Sequence, residues 1–338
     1  MSTQISIPRR RLLRTAGGLT GILALGRAPA FAQAQPKKLG LANVTAVPEA
    51  GALVFDWMCK EVTARSKGEL VFEFHGGTLL NKELEIMNAV KAGNIAMGSP
   101  GGATATIFPE IGAFLVPYLI STYNQAYRVF NGPVGAQLDK VFVEKYGLKT
   151  LFFYDYGFRH FWNNRRPINE PRDLRGLKIR VQLAKVFADT INGLGGIAVP
   201  MAWAEVITAA QQGVIDGADL PVVNMVPLKA YDVSKHYALT FHNYGPSILV
   251  INAGVWAGLT EAQRKLVTDV SMEAQARSRK QTEDVDNLAS AKKQLEPHGM
   301  AVTGPDIAPF RKIAQEKIWP IYQKQYPELW EKIVGTPA

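Results

Sequence analysis

One segment of this 338-residue chain, residues 171–221, holds the side chains best suited to binding a charged small molecule. Within it, Lys178-Ile179-Arg180-Val181-Gln182 alternates polar and apolar residues, which predicts a half-buried strand. The guanidinium of Arg180 is a planar fork that holds a carboxylate through two parallel hydrogen bonds and stays ionised at any working pH. Arg180 is therefore the main candidate for binding an organic acid. From the alternation alone, the alternative is a position on the solvated face of an edge strand.

The motifs that would indicate catalysis are absent from the sequence. The histidines have neither the His-x-x-x-His nor the Cys/His spacing of a zinc site; they are His75, His160, His236, His242 and His298. Residues 193–196 (Gly-Leu-Gly-Gly) follow a predicted helix and lack the register of dinucleotide-binding glycines. There is no Gly-x-Ser-x-Gly elbow and no phosphate-binding loop. We therefore expect a binding protein without metal or cofactor, and not an enzyme.

Strand-like and helix-like segments alternate along most of the chain. Strands are predicted at 38–43, 71–74, 95–98, 149–154, 178–182, 197–200 and 247–253, and helices at 50–65, 82–91, 123–146, 183–194 and 204–212. Asn81 is the predicted N-cap of the second helix, and Gly132-Pro133 interrupts the third. This βαβα rhythm predicts an α/β fold with a mainly parallel sheet.

A long helix is predicted in the last third of the chain, at about 260–296. Thr260 and Gln263 form a capping-box pattern, and no Gly or Pro occurs from Glu261 to Glu296. A single helix of this length would be about 50 Å long, so it must leave the globule or run across two lobes. The mixed charges of residues 277–286 favour a solvated outer face over a partner-binding coiled coil.

Residues 1–32 have the features of a cleaved export signal. A basic start is followed by the apolar stretch 16–25 and by Ala-Phe-Ala at 30–32, which fits a cleavage site. Residues 9–14 (Arg-Arg-Arg-Leu-Leu-Arg) fit the twin-arginine pattern, with an Arg-rich Sec signal as the alternative. The sequence therefore predicts a periplasmic protein that is soluble after cleavage.

The composition of the remainder excludes nucleic acid as a partner. Five of the 38 Lys and Arg residues lie in the first 32 residues, so 33 basic side chains face 29 acidic ones in the rest. A nucleic-acid binder concentrates basic residues on one face, and here the strongest basic cluster is in the leader.

The roughly 306 residues after the leader exceed the usual size of one domain, about 100–150 residues, which favours two lobes. A monomer is the default expectation.

Three blocks in the central segment carry a family resemblance. They are Asp-Leu-Arg-Gly-Leu-Lys-Ile-Arg-Val at 173–181, Pro-Met-Ala-Trp-Ala-Glu-Val at 200–206, and Gln-Gly-Val-Ile-Asp-Gly at 212–217. In this order and at these spacings they resemble the solute-binding subunit of tripartite ATP-independent periplasmic (TRAP) transporters. The resemblance extends more weakly over the rest of the chain after the leader, including Gly76-Gly77-x-Leu79.

The resemblance implies a two-lobed, periplasmic-binding-protein-like α/β fold with a ligand cleft between the lobes. One lobe would comprise residues 36–157 and about 246–265, and the other residues 158–245 and about 297–338. The helix at about 260–296 would bridge both. The implied function is capture of a small carboxylate and its delivery to the permease subunits in the membrane.

The resemblance also implies which residues bind the ligand. Arg180 matches the arginine that pairs with the ligand's carboxylate, and Arg159 matches a second arginine near it. Trp203 stands at an aromatic position that would line the cleft. The alternatives are a surface position for Arg159 and a core position for Trp203. His75, which precedes the glycine pair, is a further candidate for a ligand hydroxyl or carboxylate, with a structural role as the alternative.

One departure from the family pattern bears on the ligand. Leu220 stands where many members carry an asparagine that bonds the ligand. This favours a monocarboxylate with an apolar or aromatic body, lined by Trp203, Leu220 and Phe158. Asp219 could bind a hydroxyl or amino group, or be a solvated loop charge.

Two other functions remain open at this point. The first is an exported enzyme on the same scaffold that acts on a hydroxy or keto acid, with Asp219 or His75 as base. The second is a ligand-sensing partner of a membrane receptor.

Overall fold

Two long antiparallel strands run through the centre of the sheet in the computed structural model, which describes residues 35–80 and 82–338. The leader and the predicted N-cap Asn81 lie outside the described residues. The strands in the described part are β1 (Lys37–Asn43), β2 (Leu70–Gly76), β3 (Met97–Gly98), β4 (Leu148–Asn163), β5 (Lys178–Val181), β6 (Ile197–Pro200), β7 (Gly217–Leu220), β8 (His236–Asn252) and β9 (Ala301–Thr303). They form a single sheet in the order β2-β1-β3-β8-β4-β7-β5-β6, and β9 pairs with β8.

Helices connect the strands and cover the sheet. The α-helices are α1 (Ala50–Arg65), α2 (Glu83–Lys91), α3 (Thr104–Ile107), α4 (Tyr123–Asn131), α5 (Pro133–Tyr146), α6 (Lys185–Leu194), α7 (Val206–Gln211), α8 (Val222–Met225), α9 (Ala253–Ala257), α10 (Glu261–Glu283), α11 (Leu288–Leu295), α12 (Ala308–Lys317), α13 (Trp319–Gln325) and α14 (Pro327–Val334). Short 3-10 helices lie at Gly101–Ala103, Pro109–Leu115, Pro171–Leu174, Trp203–Glu205, Ala230–Asp232 and Glu296–His298. The predicted break between α4 and α5 is confirmed, at Gly132.

The sheet has two halves that share β4 and β8, within the one compact unit formed by residues 36–338. β3 pairs with the end of β8, at Met97 and Ile251, and carries β1 and β2 with it. β7 pairs with the end of β4, at His160 and Leu220, and carries β5 and β6. The polypeptide therefore has the predicted two-lobed α/β fold, with both lobes built on the same two strands.

The pairing of β4 with β8 is irregular where the halves meet. The register shifts three times, between Thr150 and Phe152, between Asp155 and Gly157, and between Arg159 and Phe161. Gly157 has φ +98°, a conformation that side-chain-bearing residues rarely adopt, and a Cβ there would lie 2.7 Å from Thr282 Cγ2. Such irregularities bend a strand and increase its twist.

One buried cluster lies in each half, and a third contains residues of both. On α1, Val54, Phe55, Met58 and Val62 recur at helical spacing and are at most 4% exposed, which fixes the helix against β2 and α10. Cys59 lies in the same core, and burial raises the pKa of its thiol to about 12, so it is an unreactive apolar group.

The single helix predicted at about 260–296 is wrong in one respect, because the segment forms two helices. The Thr260–Gln263 capping box begins α10 as predicted, but α10 ends at Glu283 and α11 begins at Leu288. Between them the Asp286 carboxylate turns inward and accepts hydrogen bonds from Tyr123 Oη at 2.5 Å and from the Phe158 backbone N–H at 3.1 Å. α10 packs on α1 and β4, and α11 packs beside β9, so the pair spans both halves.

Candidate ligand-binding site

A cavity of about 630 Å³, including its opening to solvent, lies between the two halves of the sheet. The start of α1 and the start of α2 supply one wall. β5, the turn that follows β6, and α8 supply the opposite wall, and β4 closes the space between them. Both halves of the sheet therefore contribute to the same space.

Arg180 lies on the wall of this cavity and not in bulk solvent. It is on β5, a strand paired with β6 on one side and β7 on the other, and it is 3% exposed. Nε and Nη2 donate to the carbonyl oxygen of Met201 at 3.0 and 2.8 Å, and the Trp203 ring centroid is 5.5 Å from Cζ. Burial and the charge of Arg159 lower the pKa of Arg180 to about 10, so it is still a cation at neutral pH.

Arg180 has donors to spare. The two bonds to Met201 use the Nε–H and one N–H of Nη2. This leaves the second N–H of Nη2 and the N–H groups of Nη1 for another partner. No carboxylate in the described part of the chain lies within 4.0 Å of its guanidinium. A buried cation is costly unless it is paired, so this fork is suited to an anion supplied from outside.

Arg159 also lies on the wall, but its charge is already compensated. Nε and Nη2 donate to the two carboxylate oxygens of Asp219 at 2.7 and 2.6 Å, and both residues are at most 3% exposed. Burial opposes ionisation of Asp219, yet the charge and hydrogen bonds of Arg159 outweigh it and hold the pKa of Asp219 well below its usual range. His242 Nε2 lies 3.2 Å from the same carboxylate, and burial lowers the pKa of this histidine.

Two further predicted residues reach the cavity. Trp203 lies in the 3-10 helix Trp203–Glu205, half-buried, with its ring against the Arg180 guanidinium. Leu220 ends β7, is 4% exposed, and also lines the wall. Together with Met201 they give this side of the cavity an apolar surface.

Asp219, His75 and Phe158 were also predicted to contact the ligand, and none of the three is on the cavity wall in this structure. Asp219 is instead paired with Arg159. The His75 ring lies beside β1, 3.5 Å from where a Cβ on Gly40 would be.

Phe158 is in an aromatic core, with its ring centroid 5.1 Å from that of Tyr123 and 5.5 Å from that of Tyr244. The irregular backbone at Gly157 explains this placement. Tyr156 and Arg159 both line the cavity, although a regular strand would place residues three apart on opposite faces. The register shift brings these two side chains to one wall and turns Phe158 away.

Two carboxyl groups on the wall were missed by sequence reasoning. Glu49 immediately precedes α1, but its side chain does not cap that helix, and burial raises the pKa of this carboxyl to about 7. Glu83 is the first residue of α2. Burial raises its pKa too, and the charge of Arg180 partly counteracts this. Both are acidic residues at helix starts, where such residues are common, so neither stands out in the sequence.

Asn224 was also missed, because it lies four residues after the position at which the family pattern predicts an amide. It is on α8, 5% exposed and on the cavity wall. Within residues 35–80 and 82–338, its side-chain amide makes no hydrogen bond. Asn224 therefore brings to the same cavity the side-chain amide that Leu220 lacks.

Among the described residues, no group of three or more His, Cys, Asp or Glu side chains is arranged to hold a metal ion. The same part of the chain contains no helix with the length and apolar character needed to cross a membrane.

Comparisons with known proteins agree with this geometry. Residues 47–326 match the family model of bacterial extracellular solute-binding protein, family 7. A solute-binding protein of Verminephrobacter eiseniae is 32% identical over 74% of this chain and 74% of its own length. The C4-dicarboxylate-binding periplasmic protein DctP of Rhodobacter capsulatus is 32% identical over the same shares of both chains.

Solved TRAP periplasmic solute-binding proteins have the same architecture. One from Bordetella bronchispeptica, with density interpreted as pantoate, superposes with TM-score 0.82 at 28% identity and covers 89% of this chain and 100% of its own. One from Polaromonas sp JS666, bound to D-erythronate, has TM-score 0.82 at 28% identity, with coverage of 89% and 99%. One from Pseudomonas putida F1, with bound D-glucuronate, has TM-score 0.80 at 27% identity, with coverage of 89% and 98%.

Proposed function

The chain belongs to the bacterial extracellular solute-binding proteins of family 7, the solute-binding subunits of TRAP transporters, and we propose that it captures a small organic acid through Arg180. Proteins of this family are periplasmic, bind small acids and work with membrane permease subunits. Delivery of the captured acid to such a permease is the function that the cavity supports best.

The observation that carries this proposal is the fork of Arg180. Its guanidinium lines the cavity, while the carbonyl of Met201 holds one edge of it in place. Hydrogen bonds to charged groups contribute about 1.5–3 kcal/mol each, and two parallel bonds to one carboxylate also fix the orientation of the ligand.

We propose a monocarboxylate as the ligand. Arg180 and Arg159 are the cations on the described wall, and Asp219 already neutralises Arg159. A second carboxylate on the ligand would therefore meet the acidic Glu49 and Glu83 instead of a cation. The relative from Rhodobacter capsulatus differs in this respect, since its name says that it binds C4-dicarboxylates. The apolar body predicted from the sequence is supported on one side only, by Trp203, Leu220 and Met201.

We further propose that the two lobes close on the acid as a monomer. The lobe boundaries predicted from the sequence, 36–157 with about 246–265 and 158–245 with about 297–338, fall at Gly157 and Gly245. These two glycines are partners in the β4–β8 register, at one of its irregular points, which supports a hinge there. α10 and α11 together take the place of the single bridging helix.

The test is binding of organic acids by the purified protein and its Arg180→Ala variant. Thermal-shift screening of mono- and dicarboxylates, followed by titration calorimetry, should identify an acid that binds the parent protein. Arg180→Ala should weaken its binding by about 2–5 kcal/mol, because the ligand's carboxylate is left buried without a counter-charge. Lys178→Ala, which removes an exposed charge from the same strand, is the matched control and should bind normally. An unchanged dissociation constant in Arg180→Ala would exclude the proposed anchor.

A further inference from the structure

Two acidic side chains on the wall opposite Arg180 lack partners that would explain their burial. In the part of the chain that the structure describes, the Glu49 carboxyl makes no hydrogen bond and no ion pair. The Glu83 carboxyl has no ion pair within 4.0 Å in the same residues and is attracted by the charge of Arg180. Both residues are half-buried and line the cavity that a ligand would fill.

We propose that Glu49 and Glu83 restrict the cavity to acids that carry hydroxyl groups at the end remote from the carboxylate. This inference rests on the proposed capture of an acid by Arg180 and specifies the rest of that ligand. A bare hydrocarbon chain would cover these two carboxyl groups without bonding them. Sites built to hydrogen-bond a hydroxyl reject analogues that lack it, because the protein's own polar groups are then left unpaired.

The charges of the cavity favour hydroxyl groups over other donors. One ligand carboxylate balances Arg180, and Arg159 is balanced by Asp219. A ligand ammonium would require an ionised carboxyl group opposite it, and burial opposes ionisation by raising the pKa of Glu49 to about 7 and that of Glu83 above its usual range. A hydroxyl group bonds either form of these carboxyl groups without adding charge.

A third polar group lies on the other side of the same space. The side-chain amide of Asn224 has one acceptor and two donors without partners among the described residues, and it comes from the lobe that carries Arg180. Hydroxyl groups along the ligand could therefore bond both lobes at once, while Trp203 and Leu220 contact its carbon chain. The bound acids of the Polaromonas and Pseudomonas putida relatives, D-erythronate and D-glucuronate, are of this hydroxylated class.

The test compares pairs of acids that differ only in hydroxylation. D-erythronate is matched with butanoate, and D-gluconate with hexanoate, with γ-aminobutyrate and succinate as further probes in calorimetric titrations. We expect the parent protein to bind at least one hydroxylated member at least about 10-fold more tightly than its plain partner, since each unpaired buried acceptor disfavours the plain acid. γ-Aminobutyrate and succinate should bind no better than butanoate.

Variants assign the selectivity to these residues. In Glu49→Met and Glu83→Met, which keep the volume but remove the acceptor, the preference for the hydroxylated acid should fall at least about 5-fold, with the plain acid bound more tightly than before. Glu85→Met is the matched control, because Glu85 is on the same helix as Glu83 but exposed and outside the cavity, and its preference should be unchanged.

The outcomes separate this inference from the proposed function. If the plain acids bind as tightly as the hydroxylated ones, if γ-aminobutyrate or succinate is preferred, or if the double Glu49→Met, Glu83→Met variant keeps the full preference, the inference is wrong while capture by Arg180 stands. If the parent binds none of the acids, the proposed function and this inference both fail.

Discussion

Arg180 and Arg159 are two guanidiniums on one cavity wall, both 3% exposed, and their surroundings give them different roles. Arg159 is held by both oxygens of Asp219, whereas the hydrogen bonds of Arg180 within the described residues go to a backbone carbonyl. Arg159 is therefore paired within the protein, and Arg180 is the cation that we propose meets a ligand's charge. A resemblance between sequences aligns both arginines with ligand-binding positions, but only the contacts of each side chain separate them.

Removal of the Asp219 charge should destabilise the fold. In Asp219→Asn the buried Arg159 loses its counter-charge, and we expect the free energy of unfolding at pH 7 to fall by about 3–5 kcal/mol. Urea denaturation measures this, with Asp269→Asn as the control. Asp269 forms an exposed pair with Lys265 at 2.7 Å, and its loss should change stability by less than about 1 kcal/mol.

The same pair makes the protein sensitive to acid. Because Arg159 holds the pKa of Asp219 below its unfolded value of about 3.9, its stabilisation is present above about pH 4 and is lost as the pH falls further. Stability curves should therefore be flatter below pH 4 in Asp219→Asn than in the parent. A parallel pH dependence, or a loss smaller than about 1 kcal/mol at pH 7, would contradict the role of this pair.

Glu49 predicts the opposite pH dependence. Its pKa of about 7 in the folded protein is above the ordinary 4.5, so folding is most favourable below about pH 4.5 and becomes less so as the pH rises to 7. With an allowance for solvent screening of this part-exposed group, Glu49→Gln should stabilise the ligand-free protein by about 1–3 kcal/mol at pH 8 and little at pH 4. Urea denaturation at the two pH values tests this. An equal effect at both would assign the change to packing.

At the scale of the elements, the short regular segments were easier to predict than the long strands. The predicted strand at 149–154 is only the first part of β4, and the predicted strand at 247–253 matches only the end of β8. Gly157 and the pair Gly245-Pro246 interrupt the sequence patterns at the point where the lobes meet, although the chain stays extended through both. Pairing between β4 and β8 overrides these local signals, and it also decides that Tyr156 joins Arg159 on the wall.

The break between α10 and α11 contains neither Gly nor Pro, and its local signal is Asn287, whose side chain caps α11. Three donors from other elements impose it. Phe241 donates to Nδ1 of His160, which leaves the proton on Nε2, and that nitrogen donates to Asp286 at 2.7 Å, in addition to Tyr123 and the Phe158 backbone. The three contacts of Asp286 join residues more than 100 positions apart, so a reading of residues 260–296 alone could not include them.

The inward turn of Asp286 should therefore be important for stability. In Asp286→Ala the three buried donors lose their acceptor, and we expect the free energy of unfolding to fall by at least about 2 kcal/mol. Asp284→Ala, two residues earlier in the same segment, removes an exposed i,i+4 pair with Lys280 and should cost less than about 0.5 kcal/mol. Equal effects of the two substitutions in urea denaturation would argue against Asp286 as the residue that ends α10.

For the whole molecule, the placement of the binding groups has a mechanical consequence. Glu49 and Glu83 belong to the half of the sheet that contains β1 to β3, while Arg180, Trp203 and Asn224 belong to the half that contains β5 to β7. An acid that bonds both sets links the two halves. β4 and β8, with their register shifts around Gly157, connect the halves, and rotation of the halves about them is the closure proposed above.

Ligand binding should therefore favour a more compact form. On addition of an acid identified by the screen, the radius of gyration measured by small-angle X-ray scattering should fall, and at 100 times the dissociation constant the stability should rise by about 2.7 kcal/mol. Arg180→Ala at the same ligand concentration should show smaller changes in both quantities, because less of the variant is occupied. Asp286→Ala, which weakens the contact between the helical pair and the hinge strand but leaves the cavity wall intact, should still compact on binding. If the parent binds the acid tightly and its radius of gyration stays constant, the cavity is already closed without ligand, and rotation about β4 and β8 does not accompany capture.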